Sequence, residues 1–554
     1  MKSAVRKTRV IFWSFAVTAG FLQAWSYRFY IEPDGVNYLD VAAAYRRADW
    51  SAAINGYWSP LYSWLLALVQ ALFHPSAFWE STFLHLLNFA VFLLALRCFE
   101  FFFSQLLRLV RAESPDATDD EMTPEWAWWV LGYSAFLLSA LRLITLSTDT
   151  PDMVLAVWLF LASGLLIQLG RFQNGILRHA LFGGVLGFAY LTKSVMFPLS
   201  FVYVFASSIS QTGWKKPDFR GLVALAAFAV VSLPFVTAVS RTKGYVTFGE
   251  TGKIAYFAEV SAPSMEGKLV HPMHQLFERP NIFEYAAPFT STFPPWYDPS
   301  YWYTGATLRF DLRAQLRAIG RAAVNYFHIL STEKEWIAGW LVLAIFAGNW
   351  REPARRLLGW WFLWLPSLAM LLLYTLVLIE PRYIGVPLTV IRLILFAALP
   401  WQQIMVARRL GTAVFLAIGI TTGITIIRAE IPELAACIRP ASHAQWAVAQ
   451  QLENRNLAAG DRVAVLGHTR AGDYWAHLAG LRIVADIPTE EVSAYWAASP
   501  ERRAQVSAAL NTVGVRALVS ATQPNEMSGW EALGGTGYYV QILSGPNSTE
   551  TTIR

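Results

Sequence analysis

Pro60-Leu61-Tyr62-Ser63-Trp64-Leu65-Leu66-Ala67-Leu68-Val69-Gln70-Ala71-Leu72-Phe73 is the stretch on which the architecture turns. It is apolar but short: about 14 residues make a helix of roughly 21 Å, where a bilayer core demands about 20 residues. Lying flat along the membrane it leaves the chain on one side, whereas crossing it inverts the orientation of every later span. Loop charge decides between the two. With a cytoplasmic N-terminus and 60–73 flat, Arg108/Arg111, Arg171/Arg178, Lys215/Lys216/Arg220, Arg351/Arg355/Arg356 and Arg408/Arg409 all fall inside, as the positive-inside rule requires. A crossing at 60–73 would invert the next three of these clusters.

The rest of the composition agrees with a chain solvated mainly by lipid. Of 554 residues, 55% are apolar, 15% aromatic and only 15% charged, where a soluble domain carries about 25% charged residues. Apolar segments of spanning length occur near 10–30, 80–103, 126–146, 151–170, 221–240, 357–379, 384–404 and 410–428. The run 180–209 is interrupted by Thr192-Lys193-Ser194; splitting it into two short helices with Lys193 at the outer turn keeps Lys215 and Lys216 inside. The run 335–349 is short unless it borrows from Asn325–Ser331. The expected fold is therefore a mainly α polytopic membrane protein of about eleven spanning helices, within a range of ten to thirteen. The run from Val10 to about Tyr27, behind Lys2, Arg6, Lys7 and Arg9, is read as a retained first span rather than a signal peptide. A net charge of +6 then reports topology and not nucleic-acid binding, and Cys98 and Cys437 offer neither a disulfide framework nor a CxxC site.

From about Ala441 the composition becomes that of a soluble domain. Arg462–Leu466, Arg482–Ile487, Val515–Ser520 and Tyr538–Leu543 read as strands, separated by helical stretches near 442–456, 471–479 and 500–511. The expected organisation is a membrane domain over 1–430, with external loops 31–79 and 241–330, and a small extracytoplasmic α/β domain over 431–554. Gly467-His468-Thr469-Arg470-Ala471-Gly472 is too poor in glycine for a phosphate fingerprint. The absence of HExxH, Walker and GxSxG motifs weighs against an ATP-driven pump and a serine hydrolase.

Four polar stretches fall on the outer side of this topology. Glu32-Pro33-Asp34-Gly35-Val36-Asn37-Tyr38-Leu39 comes directly after the first span; its Pro-Asp-Gly would also serve as a turn. In Ser147-Thr148-Asp149-Thr150-Pro151-Asp152, Asp149 or Thr150 would cap the next helix, Pro151 take its first turn and Asp152 favour its dipole, leaving one carboxylate free. Lys193 sits in a long apolar stretch, where it must reach water, pair or bind an anion. In Glu380-Pro381-Arg382-Tyr383, Arg382 either pairs with Glu380 or clamps a phosphate. His271 and His274 are three apart in the long loop, but no third metal ligand accompanies them.

The order of these stretches, together with Ser59-Pro60-Leu61-Tyr62, resembles the GT-C class of polytopic glycosyltransferases over about residues 10–400. The branch most similar contains protein O-mannosyltransferases and lipid A aminoarabinose transferases. The resemblance implies a GT-C-type helical bundle, with Asp34 as the first-loop catalytic acid and Tyr38 as the tyrosine of that motif. It further implies Asp149 as the second acid with Asp152 as the other claimant, and Lys193 and Arg382, beside Tyr383, at positions suited to a lipid phosphate. The family often has Asp-Glu where this chain has Asp34-Gly35, and Glu32 is the acid that could substitute.

A polyprenyl-phosphate sugar releases an already stable anion, so one carboxylate base suffices, in contrast to the paired carboxyls of glycoside hydrolysis. The resemblance thus implies a polyprenyl-phosphate sugar donor, a lipid, glycan or protein acceptor, and contact with membrane lipid but not nucleic acid. No cofactor is expected, and a divalent metal is not favoured although a carboxylate pair could hold one. The place implied is a bacterial inner membrane with the site facing outward. The competing reading is a transporter or flippase of a lipid-linked sugar, which would show inverted repeats and broken helices at the midplane.

Overall fold

The computed structural model describes residues 2–113, 123–172, 175–210, 219–261, 274–285, 291–293, 297–299, 308–347, 350–399, 405–439, 443–467, 474–524 and 527–543. Among these, six helices are long and apolar enough to cross a membrane: Ala77–Ala112, Glu125–Ile144, Asp152–Phe172, Arg220–Lys243, Pro381–Ala398 and Arg408–Cys437. Arg351–Gly359 and Trp361–Thr375 meet at 79° and make a seventh if they cross as one bent span. The other crossings needed for eleven correspond to Lys2–Ser26, Ile176–Thr192, Met196–Ile209 and Lys334–Ala347, none of which meets that standard of length and apolarity. The break between Ile176–Thr192 and Met196–Ile209 falls at Lys193. By contrast, Lys334–Ala347 borrows nothing from its neighbour: Leu312–Ser331 is a separate helix, closed by backbone bonds at Thr332 and Glu333.

Pro60–Phe73 forms one helix with the bounds its composition suggested, started by Pro60 in the first turn and ended by His74 in the left-handed region at φ 45°. Proline's fixed φ and missing N–H suit a helix start, and a residue past the end in that region closes it. The same device starts Pro33–Arg46, where Pro33 comes after an extended Glu32. These two helices pack on each other beside the bundle. The bundle core is aromatic: Phe99 sits 5.3 Å from Phe136 and 5.2 Å from Phe160, ring centre to ring centre. A side chain at Gly132 would stand 2.6 Å from Phe103, so a small residue there lets the helices approach closely.

The C-terminal strands join two that precede them by far. β1 (His274–Glu278) and β2 (Asn281–Glu284) come from the long loop, and β3 (Arg462–Leu466), β4 (Arg482–Ile487), β5 (Val515–Ser520), β6 (Glu531–Leu533) and β7 (Tyr538–Ile542) from the end of the chain. Together they form a seven-stranded sheet in the order β1-β2-β4-β3-β5-β7-β6. β3 runs parallel to β4 and β5, as βαβ connections through Tyr474–Leu478 and Pro500–Thr512 allow. The remaining pairs are antiparallel. β1, β2 and β6 lie outside the strands that alternation marked.

The sheet is fastened to the membrane-side helices. The partly buried His477 ring lies 3.0 Å from Asp40 and 2.9 Å from Glu80, and Asp40 also accepts from the Thr292 N–H at 2.7 Å and its hydroxyl at 3.0 Å. Burial alone would depress the imidazole. Glu80 and Asp40 outweigh it and hold His477 up at about 10.

Candidate active site

The first loop and the turn before Asp152–Ile167 lock together backbone to side chain. The Glu32 N–H donates to Asp149 Oδ2 at 3.0 Å, and the Asp149 N–H donates back to Glu32 Oε1 at 3.1 Å. Asp149 is fully buried, and a Cβ at Gly35 would lie 2.5 Å from the Asp149 Cβ. The glycine after Asp34 is thus the gap into which the second acid fits. The 126–146 helix widens to π geometry over Ser139–Ile144 and exits through Thr145 at φ 65°, a conformation a β-branched residue holds only under constraint. Asp149 does not cap the next helix. That helix starts after Pro151 without a side-chain cap bond, because the Asp149 carboxylate is turned toward Glu32.

His85, on Ala77–Ala112, braces both loops from below. Its ring nitrogens face the Tyr30 and Leu146 carbonyls, each at 2.9 Å, and Nε2 is 3.5 Å from Asp149 Oδ1. Nothing in the sequence distinguishes His85 from an ordinary core histidine. Burial, with Asp149 and Asp34 nearby, pushes Glu32 up to about 7 even though Arg382 opposes the shift. Burial likewise holds Asp149 well above the usual carboxylate range, with Asp34 adding to the shift.

Two cations complete the cluster. Lys193, at the end of Ile176–Thr192 in extended backbone, donates to Asp152 Oδ1 at 2.6 Å, and its Nζ stands 3.7 Å over the Tyr383 ring. Thr150 donates to the other Asp152 oxygen at 2.9 Å. Arg382 sits in the first turn of Pro381–Ala398, which presents it to the acids rather than to Glu380. It donates to Asp34 Oδ2 at 3.2 Å and lies 3.7 Å from Glu32 and 3.9 Å from Asp152. Close, partly buried pairs of this kind carry more energy than surface pairs, because water screens them less.

One cavity has Asp34, Tyr38, Asp152, Lys193, Arg382 and Tyr383 in its wall. Glu32 and Asp149 stand behind this wall and join it through Arg382 and through each other. Tyr38 is held edge-on by Trp58 at 5.0 Å and Tyr62 at 5.1 Å, and Tyr374 stacks on Tyr383 at 4.8 Å. Tyr57, Trp58 and Thr251 also line the cavity and were not singled out in the sequence; the Tyr57-Trp58 aromatic pair just before Pro60 was the signal available. Among the described residues no group of three or more His, Cys, Asp and Glu side chains is placed to hold a metal. His271 lies outside the described residues, and His274 faces Glu284 at 3.2 Å.

No family profile matches the sequence, and no curated protein does so. Solved structures do. The apo structure of ArnT from Cupriavidus metallidurans superposes with a TM-score of 0.53 at 12% identity, over 96% of this chain and 99% of that one. ArnT bound to undecaprenyl phosphate gives 0.43 at 14% identity, over 97% and 99%. The apo Archaeoglobus fulgidus oligosaccharyltransferase gives 0.47 at 12% identity, over 92% and 69%. The first of these shows the fold: the chain shares with the ArnT structure a helical bundle with an appended sheet.

Proposed function

We propose that the chain is a glycosyltransferase that moves a sugar from a polyprenyl-phosphate donor to an acceptor hydroxyl at the outer face of a bacterial inner membrane. In this reading it crosses the membrane eleven times, with 1–430 as the membrane domain, 431–554 outside and the N-terminus in the cytoplasm. The observation that carries it is the cavity in which two carboxylates, Asp34 and Asp152, face two cations, Lys193 and Arg382, in a bundle with the fold of ArnT.

The acceptor oxygen attacks the anomeric carbon while the bond from that carbon to the phosphate oxygen breaks. The electron pair leaves with the phosphate, and the hydroxyl proton passes to Asp34. Arg382 now holds Asp34; a lipid phosphate that takes over the guanidinium frees Asp34 to accept that proton, so donor binding and base activation are one event. Lys193 and Arg382 stabilise the departing anion at a poorly hydrated interface. Asp149 orients the acceptor side of the cluster through Glu32, and attack opposite the leaving phosphate inverts the anomeric centre. Tyr38 and Tyr383 wall the sugar and phosphate positions.

The test is release of free polyprenyl phosphate from a panel of polyprenyl-phosphate sugars by the purified chain. Turnover with at least one donor that vanishes in Asp34→Asn supports the reading, and undiminished turnover in that variant removes Asp34 as base. Movement of an intact lipid-linked sugar across vesicles without its cleavage would make the protein a flippase instead.

A further inference from the structure

The helix Leu312–Ser331 carries a cationic row that the catalytic cluster does not use. Its sequence, LRAQLRAIGRAAVNYFHILS, contains no acid. Arg313, Arg317 and Arg321 recur at every fourth position, so they share one face, and all three are exposed. Among the described residues neither Arg313 nor Arg317 has a carboxylate partner; Arg321 donates to the Glu259 carbonyl at 2.5 Å. A second row beside them is apolar and open, with Leu312, Leu316, Val324 and Phe327 each more than half exposed. The third face packs onto the protein through Ala314, Gln315, Ala318 and Ala322.

An apolar row flanked by arginines is the pattern of a helix lying in the membrane interface, with its apolar side among acyl chains and its cations among phosphates. A protein partner for this face would have to supply acids against three arginines and grease against four large side chains at once. A bilayer surface with anionic headgroups supplies both. The helix is also wired toward the cluster: Gln315 donates to the Leu376 carbonyl at 2.9 Å and Asn325 to the Ile379 carbonyl at 3.3 Å. Those carbonyls belong to the short segment that leads into Arg382. We propose that Leu312–Ser331 is a docking helix for anionic phospholipid, with Arg313 and Arg317 as its main headgroup contacts.

This inference stands apart from the catalytic reading, and its test needs no turnover. The full chain is reconstituted in nanodiscs of equal phosphatidylcholine and phosphatidylglycerol, then stripped with mild detergent, and the retained lipid is quantified. The expected result is phosphatidylglycerol enriched over the bulk in the wild type. About fivefold of that preference should be lost per arginine removed in Arg313→Gln/Arg317→Gln, and it should be restored in Arg313→Lys/Arg317→Lys. Equal phosphatidylglycerol retention in wild type and glutamine variant overturns the proposal. A fall in oligomeric mass in the glutamine variant, with no change in retained lipid, also overturns it and makes this face a contact between copies of the chain.

Discussion

Arg382 reaches back across 348 residues of sequence to hold the Asp34 carboxylate at 3.2 Å. The guanidinium is the point at which Glu32, Asp34 and Asp152 meet, so it has a structural duty as well as the chemical one proposed for it. Replacing Arg382 with Gln removes the cation these acids share, while Asp152 keeps its bond from Lys193. The expected cost is about 3 kcal/mol of stability, read as a lower unfolding temperature in detergent, together with loss of transfer. Arg382→Lys keeps the charge but not the planar fork, and is expected to recover most of the stability and little of the activity.

Asp34→Asn is nearly isosteric and still offers Arg382 an acceptor. It is expected to lower kcat by about 100- to 10,000-fold, the usual weight of a positioned base, with the unfolding temperature unchanged. Parallel measurement of donor release and thermal unfolding separates the two effects.

Gly35→Ala tests the lock between the loops. The added methyl would collide with Asp149 at 2.5 Å and with Ile31 Cγ2 at 2.9 Å. Overpacking of this kind costs about 1–3 kcal/mol. Because the displaced group is the second acid, activity should fall with stability, whereas Gly184→Ala, which meets nothing within 4 Å, should leave both unchanged.

How much of this was legible in the sequence depends on the range of the interaction. The bounds of Pro60–Phe73, the break at Lys193 and the strands β3, β4, β5 and β7 arise from local period, proline and charge, and they could be read directly. The partners of Arg382 could not. Its nearest acid in sequence is Glu380, yet the helix start at Pro381 points it at Asp34 instead. Nor could the role of Gly35, whose reason is a carboxylate 114 positions later in the numbering from 35 to 149. β1 (HQLFE) and β2 (NIFE) lack the apolar run that marks the others and become strands by pairing, β1 with β2 and β2 with β4.

Glu32 gives the cluster a pH signature. Its carboxyl is raised from 4.5 to about 7 by burial and by Asp149 and Asp34, so the folded state binds its proton more tightly than the unfolded chain does. The resulting stability is fully present below about pH 4.5 and is lost as pH rises to about 7. Unfolding temperatures across this window should fall more steeply for the wild type than for Glu32→Gln, by about 3 kcal/mol of stability overall.

His477 works in the same direction at higher pH. Held at about 10 against an ordinary 6.5, it contributes stability that is complete below pH 6.5 and disappears as pH climbs through about 10. His477→Gln should be less stable than wild type by about 3 kcal/mol at neutral pH, and the gap should close toward pH 10. Proteolysis of the C-terminal segment should follow the same course, since this imidazolium pins the segment to Asp40 and Glu80.

The sheet is built from two pieces of chain made at different times. Phe283 on β2 finds its partner in Asp486 on β4, so during synthesis the first hairpin waits, with one strand edge bare, until some 200 further residues have left the ribosome. A nascent or prematurely terminated chain that stops short of β4 keeps that edge open. Closure of the sheet therefore waits on strands at the end of the chain, and a truncated product would carry an adhesive strand edge.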